Sequence, residues 1–151
     1  MATPNVAKVF HNALYDLGWL KWAGVEVQGK IIDTMIAAPL LDENRFSYSL
    51  NNLGRDYLND RKNEKELRAA AKDWGIDPKA ELWKLPARYV GRYAEQDAAL
   101  TLKLWKLFET EIEKNSLMDV FELESSLIKK HQPKYNKHCG YYWVSTGKKY
   151  I

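Results

Sequence analysis

Two acidic side chains fall on helix faces that are otherwise apolar. In the segment HNALYDLGWL, a helical conformation places Asp16 one turn from both Asn12 and Leu20, because residues four apart share a face. In the segment YAEQDAALTLKLW, Tyr93 and Asp97 continue an apolar stripe in the same way. Burying a charge without compensation is costly, so each acid needs a partner, a cation or a catalytic task.

Acids gathered from two helices indicate a site for a hard divalent cation such as Mg²⁺ or Mn²⁺, whose preferred ligands are oxygens. A tyrosine beside them, as Tyr93 is beside Asp97, could position a water molecule for attack on phosphorus. The alternative for each residue alone is structural: Asp16 caps or pairs locally, and Tyr93 belongs to the core. The pattern itself leaves both interpretations open.

The elements that would position these side chains follow from hydrophobic periodicity. Short β-branched runs predict strands at residues 6–10 and 31–33. Helical spacing, caps and closing glycines predict helices at about 12–23, 34–41, 50–58, 63–74, 86–114 and 116–130. The expected protein therefore has few strands and many helices.

Composition limits the class of protein. A chain of 151 residues, 46% hydrophobic and 28% charged, corresponds to one ordinary globular domain. The single cysteine, Cys139, excludes an internal disulfide framework, and no apolar run is long enough to span a bilayer. With no apolar signal region behind a basic N-terminus, we expect a cytoplasmic protein.

The last part of the chain differs from the rest in charge. No acid follows Glu124, whereas six lysines do, so a basic and aromatic segment covers residues 131–151. Such a segment could stack on bases and neutralise phosphates, or it could be translated sequence without a selected function, which we prefer. His131, His138 and Cys139 offer three zinc ligands at irregular spacing, and a structural zinc site needs four.

The two acidic motifs resemble parts of one known family. HNALYD at residues 11–16 resembles the second exonuclease motif, and YAEQD at residues 93–97 the third, of the proofreading 3′-5′ exonuclease domain in family A DNA polymerases, the DNA polymerase I type. Between them, DTMIAAPLLDENRFSYSLNNLGRDYL and WKLPARYVGRYAEQDAALTLKLW resemble the same domain in bacteriophage polymerases. The resemblance extends from about residue 8 to about residue 128.

This resemblance implies a ribonuclease-H-like α/β fold in which four acids hold two Mg²⁺ or Mn²⁺ ions around the scissile phosphate. By motif position, Asp16 and Asp97 are implied as metal ligands and catalytic acids, with Tyr93 orienting the attacking water. Asn12, with His11 beside it, is implied to support the site or the terminal nucleotide of a DNA 3′ end or single strand. Asp33 matches a strand-end acid of the family that we expect to be structural.

The family's first motif, an Asp-x-Glu on the first strand, supplies the other two acids, and this sequence contains no Asp-x-Glu. We therefore expect an N-terminally truncated fold, predominantly helical with a reduced sheet, that binds metal weakly and hydrolyses little or nothing alone. The strand at 6–10, together with Ile31 and Ile32, should then have uncovered edges and exposed apolar faces. Self-association, or a partner polypeptide that carries the first motif, would cover them.

These observations divide the chain into three parts. Residues 1–115 carry the second and third motifs, residues 116–130 form a helix that resembles the passage into a polymerase domain, and residues 131–151 remain unassigned. Three interpretations of function are open: part of a proofreading exonuclease used in DNA replication, a non-catalytic nucleic-acid-binding or polymerase-associated module, and the product of a truncated gene. We prefer the first, located in the host cell cytoplasm if the protein is phage-encoded.

Overall fold

The fold is built on two short parallel strands with helices on both faces. The computed structural model describes residues 1–60, 65–78 and 80–130. Strand β1 (Lys8–Phe10) pairs with β2 (Ile31–Asp33) so that Lys8 lies beside Ile31 and Phe10 beside Asp33. The crossover between them contains helix α1 (Ala13–Trp22), since parallel strands need a long connection.

Five further α-helices follow β2 in the described residues. They are α2 (Thr34–Leu41), α3 (Leu50–Leu58), α4 (Lys65–Asp73), α5 (Ala87–Lys114) and α6 (Met118–Lys130). Each predicted helix is present, and its ends lie within two residues of the prediction wherever they fall in the described residues; the predicted start of α4 at residue 63 lies outside them. Strand β1 begins two residues later than predicted. A short 3₁₀ helix at Leu82–Lys84 was not predicted.

The larger core lies on one face of the sheet. Ile32 packs there with the apolar stripe of α5, of which Leu104 and Phe108 are completely buried. Helices α2 and α3 contribute Ala37 and Leu53 to the same cluster. This arrangement explains the length of α5, because its stripe packs along α2, α3 and β1 and continues to α6.

The opposite face of the sheet is also covered. Phe10 and Ile31 pack there with Ala13 and Leu17 of α1 and with Ile128 of α6. Ile31 and Ile32 are therefore only 4% and 5% exposed. The expectation that these two side chains would be exposed was wrong, because α1 and α6 cover Ile31 on one face and α5 covers Ile32 on the other.

A smaller cluster lies between α4 and the start of α5. Leu67, Ala70 and Ala71 of α4 pack with Leu85 there, and the ring of Tyr93 lies against them. This cluster holds the beginning of α5, where the third motif lies, against a second helix.

The helices are short or polar compared with a membrane-spanning segment. No helix in the ranges described is long and apolar enough to cross a membrane. The basic aromatic segment 131–151, with His131, His138 and Cys139, lies outside the described residues.

Candidate functional site

A buried carboxylate at the end of β2 organises the start of two helices. Oδ1 of Asp33 accepts hydrogen bonds from the backbone N–H groups of Asn12 and Met35, each at 2.9 Å. Its Oδ2 accepts the N–H of Ala13 at 2.7 Å. These bonds satisfy N–H groups that the first turns of α1 and α2 leave without helical partners, and they compensate a side chain that is 4% exposed. The geometry gives Asp33 a structural role.

Asn12 contributes to this arrangement through its backbone. It has φ of 69° and ψ of 58°, the left-handed conformation that asparagine tolerates better than most residues. This conformation turns the chain from β1 into α1 and presents the Asn12 N–H to Asp33. The Asn12 side chain is exposed at the surface, so the structure neither confirms nor contradicts the predicted contact with a terminal nucleotide.

His11 is fixed by a buried threonine. The hydroxyl of Thr34 donates to the Phe10 carbonyl oxygen at 3.1 Å, which uses its single proton. The ring nitrogen Nδ1 of His11 lies within hydrogen-bond distance of the same hydroxyl oxygen, at 2.9 Å. This contact holds the ring at the carboxyl end of β1.

Asp16 lies in the first turn of α1, beside this group. The buried face of α1 consists of Ala13, Leu17 and Gly18, and Asp16 is partly buried at its border. Burial raises the pKa of the Asp16 carboxyl, and the nearby negative charge of Asp33 raises it further. The structure thus places two carboxylates, those of Asp16 and Asp33, close enough to repel each other at the end of the sheet. The sequence pattern instead predicts Asp97 as the neighbour of Asp16.

Asp97 and Tyr93 occupy the first half of α5. The predicted stripe is confirmed for its apolar part, since Leu100, Leu104 and Phe108 are buried. Asp97 is partly buried, its Oδ1 atom is shielded from solvent, and its carbonyl oxygen accepts the Thr101 hydroxyl at 2.8 Å. The ring of Tyr93 faces α4, where it lines a crevice between the two helices.

The acids predicted to bind metal do not by themselves fit a divalent ion. Across residues 1–60, 65–78 and 80–130, no three His, Cys, Asp or Glu side chains are grouped so that they could hold a metal ion. Both oxygens of Asp33 already accept N–H groups. The described side chains do not form a complete site for Mg²⁺, which needs several oxygen ligands in near-octahedral geometry.

Sequence reasoning missed a second feature of the helix that carries Asp97. Arg88 and Tyr89 are followed by Arg92 and Tyr93, so the dipeptide Arg-Tyr is repeated with the spacing of one helical turn. Both tyrosines line the crevice between α4 and α5, and Arg92 lies at its edge. The sequence RYVGRY at residues 88–93 was the signal from which this feature could have been recognised.

Comparison with known proteins decides the family to which this arrangement belongs. Residues 1–113 match the family model of the 3′-5′ exonuclease domain of DNA polymerase A. This chain belongs to that exonuclease family. The resemblance recognised from HNALYD and YAEQD is thereby confirmed.

Individual relatives of this exonuclease-family chain are DNA polymerases. It is 42% identical over 130 residues to the DNA-directed DNA polymerase of Pseudomonas phage M6, which covers 81% of the chain and 20% of that protein. It is 34% identical over 125 residues to the DNA polymerase DpoZ of Salmonella phage PMBT28, covering 79% of the chain and 20% of that protein. With DNA polymerase I of Treponema pallidum (strain Nichols), identity is 28% over 116 residues, 76% of the chain and 11% of that protein. The chain spans about a fifth or less of the length of these relatives.

Proposed function

We propose that this chain is part of a polymerase-associated 3′-5′ exonuclease domain with a ribonuclease-H-like fold, which hydrolyses phosphodiester bonds at DNA 3′ ends during replication. The observation that carries the proposal is that the two helices bearing the motif acids both pack against β1. Asp16 lies in the helix that follows β1, and α5, which bears Asp97, packs on β1. Membership of the exonuclease family supports the same assignment.

Each motif residue has a proposed task at this site. Asp16 and Asp97 are the catalytic acids that would contribute to binding Mg²⁺ or Mn²⁺, and a cation beside Asp16 would offset the desolvation and repulsion that raise its pKa. Tyr93 orients the attacking water. His11 and Asn12, at the end of β1, contact the terminal nucleotide of single-stranded DNA.

The proposed site is completed by acids that this sequence does not contain. The described acids of this chain do not form a divalent-ion site on their own, so Asp16 and Asp97 supply only part of its ligands. The missing Asp-x-Glu would come from another polypeptide segment whose strand pairs with the sheet. On α1, the exposed rings of Tyr15, Trp19 and Trp22 contact each other edge to face and would be covered by such a segment or by a second copy of the chain.

We also propose the three-part organisation inferred from the sequence. Residues 1–115 form the exonuclease part, and residues 116–130 lead towards a polymerase domain. Helix α6, which occupies this second part, packs on the sheet through Ile128, so it also contributes to the stability of the first. The role of residues 131–151 stays unassigned.

The test is degradation of a single-stranded oligonucleotide labelled at its 5′ end. With Mg²⁺ or Mn²⁺, the 151-residue chain alone should not shorten this DNA above background. Addition of the region of the phage M6 polymerase that precedes the matched segment should restore trimming from the 3′ end. Asp97→Asn should abolish the restored activity, whereas Asp119→Asn, which removes an acid on α6, should not.

Two results would contradict the proposal. Metal-dependent trimming by the chain alone, lost on Asp97→Ala, would show that other acids such as Asp33 complete the site. If the chain and the added polymerase region form a complex that has no exonuclease activity dependent on Asp97, the catalytic assignment of the two motif acids is wrong.

A further inference from the structure

A buried threonine connects the ends of the two strands. Thr34, the first residue of α2, is completely buried. Because the last residues of β1 and β2 pair with each other, His11 and Thr34, which follow them, lie at the same end of the sheet. The Thr34 hydroxyl donates to the Phe10 carbonyl oxygen at 3.1 Å, and its oxygen lies 2.9 Å from Nδ1 of His11. One hydroxyl group therefore contacts both the backbone of β1 and the ring that follows it.

The backbone on both sides of His11 is held in place. Phe10 belongs to β1, and the Asn12 N–H donates to Oδ1 of Asp33 at 2.9 Å. Asn12 also has the left-handed conformation, with φ of 69°, that turns the chain into α1. With its backbone fixed, the partly buried His11 can adopt few ring positions, and the contact between Nδ1 and Thr34 selects one of them.

The single proton of the Thr34 hydroxyl distinguishes the two tautomers of a neutral His11 ring. A threonine hydroxyl has one proton and two lone pairs, whereas a carbonyl oxygen can only accept. If Nδ1 had no proton, it would compete with the Phe10 carbonyl for the hydroxyl proton, and one of the two acceptors would lose this hydrogen bond. If Nδ1 carries the proton, it donates to the hydroxyl oxygen while the hydroxyl donates to the carbonyl. The second arrangement satisfies every group, and an unmade hydrogen bond beside a buried side chain is costly.

We propose that Thr34 is a positioning residue that holds His11 in the tautomer protonated at Nδ1. The hydrogen bond made by one ring nitrogen determines which of the two nitrogens carries the proton. Nε2 of the neutral ring then has a lone pair, so His11 accepts a hydrogen bond at this atom instead of donating one. The Thr34 hydroxyl thereby sets the hydrogen-bonding character of the opposite side of the ring.

The consequence for DNA rests on the proposed function, in which His11 contacts the terminal nucleotide. An unprotonated Nε2 accepts from a donor group, such as a hydroxyl or a base N–H, and has no proton to give to a phosphate oxygen. Contacts between cations and phosphates release counterions and make binding depend on salt, whereas a contact through a neutral acceptor does not. Thr34 therefore selects a donor group of the nucleotide, and not its phosphate, as the partner of His11.

The tautomer is tested by long-range ¹H–¹⁵N correlation NMR of the imidazole rings in the 151-residue chain without DNA. The measurement is made at about pH 8.5, where an ordinary imidazole is neutral. The signals that disappear in His11→Ala identify this ring. The wild-type chain should show His11 protonated at Nδ1, and this spectrum decides the question even if a Thr34 variant fails to fold.

Two substitutions of Thr34 separate its hydroxyl from its volume. Thr34→Val replaces the hydroxyl by a methyl group and should abolish the preference for a proton on Nδ1, because the acceptor of that proton is lost. Thr34→Ser retains the hydroxyl and should retain the preference. Thr101→Val is the matched control, since Thr101 is also buried and its hydroxyl donates to the Asp97 carbonyl oxygen at 2.8 Å within α5. This control should leave the His11 signals unchanged, and thermal unfolding shows whether each variant is folded.

The nucleotide contact is tested by fluorescence anisotropy of a labelled single-stranded thymidine oligonucleotide in EDTA, at the same pH and several salt concentrations. His11→Ala should weaken binding about fivefold, as expected for one hydrogen bond, without changing the slope of log affinity against log salt. Thr34→Val should weaken binding in the same direction, and Thr34→Ser should restore it. The double variant His11→Ala with Thr34→Val should bind no more weakly than His11→Ala alone, because Thr34 acts through His11.

The outcomes separate the inference from the proposed function. A wild-type His11 ring protonated at Nε2, or a Thr34→Val chain whose ring keeps its proton on Nδ1, would overturn the inference whatever the DNA measurement shows. A shallower salt slope in His11→Ala would reveal a phosphate contact and would overturn the choice of a donor group. If the tautomer is as expected but His11→Ala leaves affinity unchanged, or the folded chain binds no DNA, the positioning of His11 by Thr34 stands and the nucleotide contact in the proposed function is wrong.

Discussion

At the scale of single residues, the carboxylate of Asp33 at the end of β2 stabilises the starts of two helices. Asp33 is nearly inaccessible to solvent, yet three backbone N–H groups surround it. Asp16, in the first turn of α1, is partly buried and has a raised pKa. The two acids illustrate how the hydrogen bonds around a carboxylate, rather than its burial alone, decide whether its charge is tolerated.

Replacement of Asp33 tests its structural role. Asp33→Ala removes the acceptor of three N–H groups and should lower the free energy of unfolding by about 3 kcal/mol, measured by urea denaturation. Ser49→Ala is the matched control, since Ser49 caps α3 through one exposed hydrogen bond of 3.4 Å to the Asn52 N–H. That variant should lose about 0.5–1 kcal/mol. Equal losses would contradict the special role of Asp33.

Replacement of Asp16 tests the cost of its charge. A raised pKa means that the folded state favours the protonated form, so ionised Asp16 destabilises the fold at neutral pH. Asp16→Asn should therefore raise the unfolding midpoint at pH 7 in chelator by about 2 °C, a small value because the side chain is partly solvated. The gain should vanish as the pH falls through the raised pKa towards the ordinary value of 3.8.

The same measurement tests whether Asp97 shares a cavity with Asp16. If the two acids face one site, Asp97→Asn should also raise the midpoint, and the double variant should gain less than the sum because each change relieves the same repulsion. Additive losses would show instead that both acids are satisfied structural groups.

At the scale of elements, the approach of α3 to α5 depends on a glycine. A Cβ atom on Gly54 would lie 2.8 Å from Cδ2 of Leu100, closer than packed atoms allow, and 3.1 Å from the Asp60 carbonyl oxygen, a tight contact. Leu100 is buried beneath this contact and cannot move without disturbing the larger core. The small residue at position 54 therefore sets the distance between the two helices.

Two helical glycines should respond in opposite directions to the same substitution. Gly54→Ala should lower the free energy of unfolding by about 1–2 kcal/mol through overpacking. Gly91→Ala should raise it by about 0.5–1 kcal/mol, because a Cβ atom there meets nothing within 4 Å and alanine favours the helix. Urea denaturation of both variants checks the prediction, which fails if the two shifts have the same sign.

Helix positions were predictable because their signals are local. Thr34–Leu41 has the predicted bounds, since Asp33 caps it through the Met35 N–H as a strand-end aspartate can. Which element packs against each helix was harder to predict from the sequence. Periodicity placed Tyr93 on the inward face of α5, but only the packing of α4 shows that its ring lies against Leu67 and its neighbours. The 3₁₀ helix at Leu82–Lys84 has too few residues for a periodic pattern.

At the scale of the whole molecule, two layers of helices enclose the two-stranded sheet of the described residues. The expectation of exposed apolar side chains on β2 was wrong because it assumed that the absence of the first-motif strand leaves these side chains uncovered, whereas helices cover them on both faces. Ile31 is covered by α1 and by Ile128, nearly a hundred residues later in the chain. Such long-range contacts leave no mark in local periodicity, so the sequence indicated the elements and the family but not how completely the sheet is covered.

The bonds to Asp33 connect parts of the chain that are far apart in sequence. The N–H groups of Asn12 and Ala13 belong to the start of α1, that of Met35 to α2, and all three reach one carboxylate. When the Asp33 side chain moves away, all three N–H groups lose their hydrogen-bond acceptor at the same time. Their hydrogens should therefore exchange with deuterated solvent through one shared opening, with a common protection factor, although Asn12 and Asp33 are separated by 21 positions in the chain. The entrances of two helices thus behave as a single cooperative unit, and one end of the sheet loosens or closes as a whole.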